Sequence, residues 1–355
     1  MNDSKANKSI EENTSLNSSL SHSAGFTMIL EPYPLTVIRL TLFGILFVTA
    51  IVGNACVFLA PWRNARLRTF SYSLITCLAV GDFISALSLP FTLVTEHLHS
   101  RWIFGKALCH FLNPTQVVCG MVTTNVHTAI SVDRCVSVMS PFKGKPKGTK
   151  KRLIIALIWL TAVLCALPSF GAHRMKLLYL PNGQTLNVCI EAFPAHKYAY
   201  MYSLFLMVVN YTLPILIMSI MYTSLVLKLH SAGKFRDEHS TSLHGGAKTD
   251  IEKKFIRMAF LIMVLFALCY LPYQVLYLLM NFDVMATLSY GFLLFKYAHL
   301  LTWVPNALNP IVYGKMDLLY LKAYKRIFRC VLKKRKRSES DGTNVLPMSR
   351  LLLTR

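Results

Sequence analysis

The chain has 355 residues, 54% of them hydrophobic, and a formal net charge of +22. A mean hydropathy of +0.45 is too high for a water-soluble domain of this length and places the chain in a membrane. The charge alone would suit a nucleic-acid binder, but most of the 38 Lys and Arg residues fall in alternate loops and in the tail, which is the positive-inside signature of a multi-pass protein.

Residues 1–34 are polar, rich in Ser and Asn and poor in aromatics, so they are expected to form a disordered N-terminus. Charge distribution puts this segment outside, and Asn2, Asn7, Asn13 and Asn17 each open an Asn-x-Ser/Thr glycosylation sequon there. Since no early apolar run precedes Phe26, the first span is expected to direct insertion without a cleavable signal. Seven stretches of spanning length follow, at about 35–61, 70–95, 107–132, 153–171, 198–227, 255–280 and 288–313. Backbone groups find no water in lipid, so each is expected to be helical, giving an all-α membrane bundle over 35–314.

The first span carries Gly53-Asn54, and an Asn in mid-membrane needs a partner on another helix. The second carries Asp82, an intramembrane carboxylate that marks a functional polar centre. In the first outer loop, Trp102 reads as an interfacial anchor. The third span ends in Asp133-Arg134-Cys135, closed by Pro141. At 1.5 Å of rise per residue, Cys109 and Arg134 lie roughly 37 Å apart, more than the hydrocarbon thickness of ~30 Å, so they face opposite sides. Charges at that depth mark function.

In the second outer loop, Met175–Leu180 and Thr185–Ile190 flank Pro181-Asn182-Gly183-Gln184. Asn-Gly tolerates positive φ, and the loop reads as a β-hairpin. Of nine cysteines, only Cys109 and Cys189 occupy outer positions, where an oxidising compartment would join them. Pro214, Pro272 and Pro310 in the last three spans free backbone carbonyls and kink their helices. Residues 315–332 alternate apolar and basic positions, as an amphipathic eighth helix on the inner leaflet does, with Cys330 available for a palmitoyl chain. The tail, 333–355, opens on Lys333-Lys334-Arg335-Lys336-Arg337, a contact for anionic lipids.

Asn54, the Leu-Ala-x-x-Asp ending at Asp82, Trp102 with Cys109, Asp133-Arg134-Cys135, Trp159, Pro214, Phe266-x-x-Cys-x-x-Pro272 and Asn309-Pro-Ile-Val-Tyr313 occur in this order. Together they closely resemble the rhodopsin-like (class A) G-protein-coupled receptors over roughly 35–330. The resemblance implies a plasma-membrane receptor with its N-terminus outside. Its partners would be an extracellular ligand, a heterotrimeric G protein and, downstream, arrestin and a receptor kinase, with no nucleic acid. In the resting state Arg134 would be held by Asp133 and by Glu252, then released as span 6 swings out. Tyr222 and Tyr313 would turn inward, Asn309 and Pro310 would form the hinge beside them, and Phe142 would touch the G protein.

No cofactor is required on this reading. Asn54, Asp82, Thr123, Asn306 and Asn309 match the polar core that holds an allosteric sodium ion in the family. Here Thr123 and Asn306 stand where Ser is usual, and Pro305 where Asn is usual. Tyr270 replaces the usual Trp at the pocket floor. His127 takes a normally apolar position. The plain reading of His127 is a hydrogen-bonded structural residue; the sharper one is that it loosens the closed core and raises ligand-independent signalling.

Gln116 stands where amine receptors place an Asp, and Trp303 where retinal receptors place a Lys, which disfavours both ligand classes. Gln116 and the hairpin are similar to the peptide-binding branch, namely receptors for neuropeptide Y, neuropeptide FF, galanin and orexin. Glu96, Gln116, Tyr270, Tyr273 and His299 are the candidate pocket residues, with bonding between neighbouring helices as the plain alternative for each. A class A receptor for a lipid, amine or nucleoside is the second reading, and a transporter using Asp82, Asn54, Asn306 and Asn309 the third. No His-Glu-x-x-His, Gly-x-Ser-x-Gly or Walker spacing is present, so enzyme chemistry and a metal site are not expected.

Overall fold

The computed structural model describes residues 31–98, 100–140, 144–179, 185–238, 246–282 and 290–342, without the side chains of 229–238, 246–253, 281 and 331–342. The four sequons, Phe142, the hairpin turn and the side chains of Glu252 and of the basic run from Lys333 to Arg337 therefore lie outside what is described.

Helix α1 (Tyr33–Arg63) leads through a short 3-10 turn (Ala65–Arg68) into α2 (Phe70–His97). Helices α3 (Gly105–Met139) and α4 (Gly148–Ala172) follow, then strands β1 (His173–Tyr179) and β2 (Thr185–Glu191). The α5 span runs from His196–Met207 through a π-helical turn, Val208–Thr212, into Leu213–Glu238. Helices α6 (Gly246–Asn281), α7 (Gly291–Met316) and α8 (Leu318–Gly342) complete the chain. The first helix thus begins two residues before the expected 35, and α8 continues past the expected 332.

Exposure is inverted relative to a soluble bundle. Leu153, Leu157, Leu160, Leu164 and Leu167 recur at helical spacing along α4 and all face outward, a surface made for lipid rather than water. By length and composition five described stretches qualify as spans unaided: Tyr33–Arg63, Phe70–His97, Gly148–Ala172, His196–Lys228 and Lys254–Met280. Helix α3 falls short because Gln116, Asn125, His127, Asp133 and Arg134 dilute its apolar run; on α7, Lys296, His299, Asn306 and Asn309 do the same. Both helices turn those groups toward neighbours, and α3 packs on α2, α4, α5 and β1. Helix α6 leans chiefly on α7, with fewer contacts to α3 and to the last part of α5.

The two strands pair antiparallel, with His173 opposite Glu191 and Met175 opposite Cys189. A disulfide joins Cys189 to Cys109 at the start of α3. Trp102 is buried, not anchored in an interface: its indole N–H donates to the Gly105 carbonyl at 2.7 Å and its backbone N–H to Asn187 of β2, also at 2.7 Å.

At Pro214 and Pro310, neighbouring helices donate to the carbonyls the prolines free. Pro214 leaves the Asn210 carbonyl without its helical donor, and Thr124 of α3 donates to it at 3.1 Å. Pro310 frees the Asn306 carbonyl in the same way, and Asn54 of α1 fills it at 3.0 Å. The α1–α7 contact is close enough that a Cβ on Gly53 would sit 2.8 Å from the Pro310 ring, so only glycine fits.

Candidate functional site

Three polar clusters line the bundle axis. At one end Arg134, buried with Asp133, donates to the Asp133 carboxylate from Nε at 3.1 Å and from Nη2, which also bonds Ser71 of α2. Ser71 Oγ donates to the same carboxylate at 2.7 Å. The Phe255 ring of α6 lies under the guanidinium, 4.3 Å from the Arg134 Cζ, a cation–π contact that covers the charge without bonding it. Tyr72 bridges onward, edge-on to Phe255 and donating to Asp317 at 2.6 Å. Tyr222 is buried edge-on against Phe260, and Tyr313 stacks on Tyr320 of α8. Cys330 is exposed on α8, its sulfur 3.6 Å from Arg63 Nη2.

In the middle, Asp82 is fully buried; it accepts from Thr123 at 3.3 Å and from Asn309 at 3.0 Å. The Oδ1 atoms of Asn54, Asn306 and Asn309 have no hydrogen-bond partner among the described residues. A carboxylate among spare amide oxygens is the donor set of a small hard cation, so the residues present fit a sodium ion.

Between these clusters lies a small cavity of about 10 Å³, lined by Ile75, His127, Tyr222, Phe255, Met263 and Tyr313 among others, room for about one water. His127 is 4% exposed, and among the described residues neither ring nitrogen forms a well-made hydrogen bond, nor does the Tyr313 hydroxyl. The Thr123 backbone lies close enough to interact with the ring, short of a well-formed hydrogen bond. The His127 ring packs on Phe266 at 5.3 Å, and Phe266 on Tyr270 at 4.4 Å. That column runs from the cavity up to Tyr270, three residues before Tyr273 on the same helix.

At the hairpin end Arg39, only 1% exposed, pairs with Glu31 at 2.8 Å and with Glu96 at 3.0 Å. The other Glu96 oxygen lies 2.9 Å from His299 Nδ1, and the Tyr297 hydroxyl donates to Glu31 at 2.8 Å. Burial opposes ionisation of Glu31, yet the bonds from Arg39 and Tyr297 and the charges of Arg39 and Lys296 outweigh it and hold the carboxyl below its ordinary range. Tyr273 lies beside His299 at 5.6 Å and Tyr277 at 6.0 Å, and the Tyr277 hydroxyl donates to Glu191 of β2 at 2.8 Å.

The structure thus brings Glu96, Tyr273 and His299 together and puts Tyr270 below them on Phe266. Gln116 is turned aside: its amide donates to Ser88 at 2.7 Å and Thr92 at 3.1 Å, on the wall of a cavity of about 370 Å³ between α2 and α3. The sequence reading missed Ser71, Phe255, Glu31, Arg39, Glu191 and Tyr277. For Arg39 a signal was present, a lone cation inside the apolar run of the first span. The others carry no local mark.

Against known proteins, the profile of the family described as "7 transmembrane receptor (rhodopsin family)" matches residues 53–313. The chain is 27% identical over 337 residues to the substance-K receptor of Canis lupus familiaris, covering 92% of this chain and 82% of that one. It is also 27% identical over 287 residues to the RYamide receptor of Drosophila melanogaster, covering 79% and 60% respectively. The neuromedin-K receptor of Oryctolagus cuniculus is 27% identical over 289 residues, with 81% of this chain and 60% of the relative covered. The chain therefore spans most of the first relative's length and less than two thirds of the other two.

Proposed function

The chain belongs to the rhodopsin family of seven-transmembrane receptors, and from that membership we propose that it is a plasma-membrane receptor for an extracellular peptide that activates a heterotrimeric G protein. The relatives named above support a peptide as the ligand class. The hairpin end, with its disulfide, faces outward along with the N-terminus; the Arg134 end faces the cytosol, where the basic loops lie. Arrestin and a receptor kinase act at that cytosolic face, and α8 rests on the inner leaflet through its apolar side and an acyl chain on Cys330.

The observation that carries this reading is the burial of Arg134 between Asp133, Ser71 and the Phe255 ring. A guanidinium so enclosed is withheld from any cytosolic partner, and only α6 needs to leave to expose it. Since α6 has its main support on α7, it can pivot there while its cytosolic half swings out. A ligand contacting Tyr273 pushes on the same helix that carries Tyr270, Phe266 and Phe255. Differential affinity of a few kcal/mol between closed and open states is enough to move the equilibrium by orders of magnitude. In the open state Tyr222 and Tyr313 turn toward the vacated space and Phe142 meets the G protein. The resemblance assigns Glu252 the role of a second carboxylate for Arg134 in the closed resting state, and its side chain lies outside the described residues. A sodium ion held by Asp82, Thr123, Asn306 and Asn309 favours that closed state.

The test is nucleotide exchange on G proteins in membranes carrying the chain, challenged with a panel of amidated peptides. Stimulation by a peptide, absent in Arg134→Ala at equal surface expression, is the expected result. Silence to peptides with a response to lipids, nucleosides or amines would overturn it.

A further inference from the structure

The cavity of about 370 Å³ between α2 and α3 takes no part in the function proposed above. Of the side chains that line it, Leu87 is 50% and Phe111 58% exposed, so it opens on the lipid-facing surface of the bundle. Its volume is that of a small-ligand pocket.

Depth decides what can reach it, given the membrane orientation proposed above. With Arg134 at the inner edge of the hydrocarbon, Gln116 lies 18 residues back along α3, roughly 27 Å up a layer of ~30 Å. The lining continues from Gln116 to Ala107, about 14 Å more, which takes the cavity through the outer headgroup layer. Acyl chains and the fused rings of sterols lie below that layer. Amphipathic aromatic groups collect in it, as Trp and Tyr do at membrane interfaces.

The walls are apolar, with one polar strip. Phe91, Leu108 and Phe111 supply apolar surface, and Ser85, Ser88, Thr115 and Gln116 the polar atoms. Most of these groups are already engaged. The Gln116 amide nitrogen donates to Ser88 at 2.7 Å and Thr92 at 3.1 Å, Ser88 donates to the Ser85 carbonyl, and Thr115 donates to the Phe111 carbonyl at 2.6 Å. Two groups remain, the Gln116 Oε1 and the Ser85 hydroxyl, neither of them hydrogen-bonded among the described residues. Ser85, Ser88 and Thr92 recur at helical spacing, which puts all three on the side of α2 that Gln116 bonds. An amide oxygen only accepts, whereas a serine hydroxyl donates and accepts. A single hydroxyl on an otherwise apolar molecule answers both.

We propose that this cavity binds a lipophilic phenol entering from the outer interface, its ring against Phe91 and Phe111 and its hydroxyl donating to Gln116 Oε1. The phenol has the aromatic body that partitions to this depth and the one polar group that the strip leaves unanswered. An acyl chain brings no hydroxyl, and a sterol brings one with a body that belongs deeper.

The experiment uses the full chain in cell membranes, with para-tert-butylphenol as the competitor and a diazirine-bearing alkylphenol as the photolabel. After irradiation, the labelled residues are located by mass spectrometry of the digested chain. Label is expected within 84–91 of α2 and 107–116 of α3, displaced by the phenol. The methyl ether of the phenol keeps the ring and loses the donor, and is expected to need on the order of tenfold higher concentration, the worth of about one hydrogen bond. Gln116→Met is expected to bring phenol and ether to equal potency. Label spread evenly over the lipid-facing helices, or equal potency of phenol and ether on the unaltered chain, would overturn the proposal. Displacement by added cholesterol and not by the phenol would give the cavity to a sterol and overturn it as well. A preference for the phenol that persists in Gln116→Met would overturn the assignment to Gln116, and the unaltered chain decides the other comparisons whether or not that variant reaches the surface. Labelling needs neither peptide nor G protein, so silence to every peptide would sink the proposed function and leave this site standing.

Discussion

The two charged clusters at opposite ends of the bundle are built on different plans. Asp133 and Arg134 are consecutive, so one helix supplies both charges and α6 adds only a ring beneath them. Arg39, by contrast, reaches back 8 residues to Glu31 and forward 57 to Glu96, and Glu96 reaches 203 further to His299. An ion pair made within one helix survives the departure of a neighbour, whereas one strung across α1, α2 and α7 breaks if any of them moves. On the proposed function the Arg134 end is the part that opens, since its cover from α6 is a cation–π contact of about 2 kcal/mol or less, and the hairpin end is the part that holds its register.

The comparison can be broken in four ways. The largest expected effect is on signalling: Arg134→Ala removes the group that the open state exposes, and agonist-stimulated nucleotide exchange falls to background while peptide binding persists. Next, Arg39→Met removes the cation shared by the part-buried carboxylates Glu31 and Glu96, at a cost below the ~3–5 kcal/mol of a fully buried broken pair; the loss is read as a lower melting temperature of purified receptor and poorer surface expression. If neither changes, the hairpin end is not what holds the register.

Smaller is Gly53→Ala, whose new Cβ would meet the Pro310 ring at 2.8 Å. Overpacking of this kind costs roughly 1–3 kcal/mol, and because the Asn54–Asn306 bond lies beside it, thermal stability should fall with ligand affinity changed less. The smallest and most pointed is His127→Leu. It deletes two buried nitrogens that form no well-made hydrogen bond among the described residues, so it should favour the closed state by roughly 1–3 kcal/mol and lower ligand-independent exchange. Unchanged basal exchange at equal expression would refute the role given to His127.

Much of this arrangement was legible beforehand. The spans, the hairpin, the Cys109–Cys189 bond and the Asp133-Arg134 pair all follow from runs of adjacent residues whose preferences agree. Asn54 was expected to seek another helix, and it does, on the carbonyl that Pro310 frees. Legibility was partial where contact depends on rotation about a helix axis. Gln116 was a pocket candidate with bonding between neighbouring helices as the plain alternative, and its amide does bond Ser88 and Thr92 of α2. For Trp102 the plain reading was an interfacial anchor, beside its place in the motif with Cys109; the bridge of Arg101 to Val188 and the bond from its own backbone to Asn187 draw it beneath the hairpin.

From order alone the chain determined that it crosses a bilayer in helices, which polar groups lie inside them and which family it resembles, because lipid leaves the backbone no other way to satisfy itself. Folding alone decided which of those polar groups meet. The pairing of Glu31 with Arg39, the chain of contacts from Glu191 to Glu96 and the burial of His127 without a well-made hydrogen bond each depend on how neighbouring helices turn relative to one another. That rotation is set by packing across the whole bundle, to which residues far apart in sequence contribute at once.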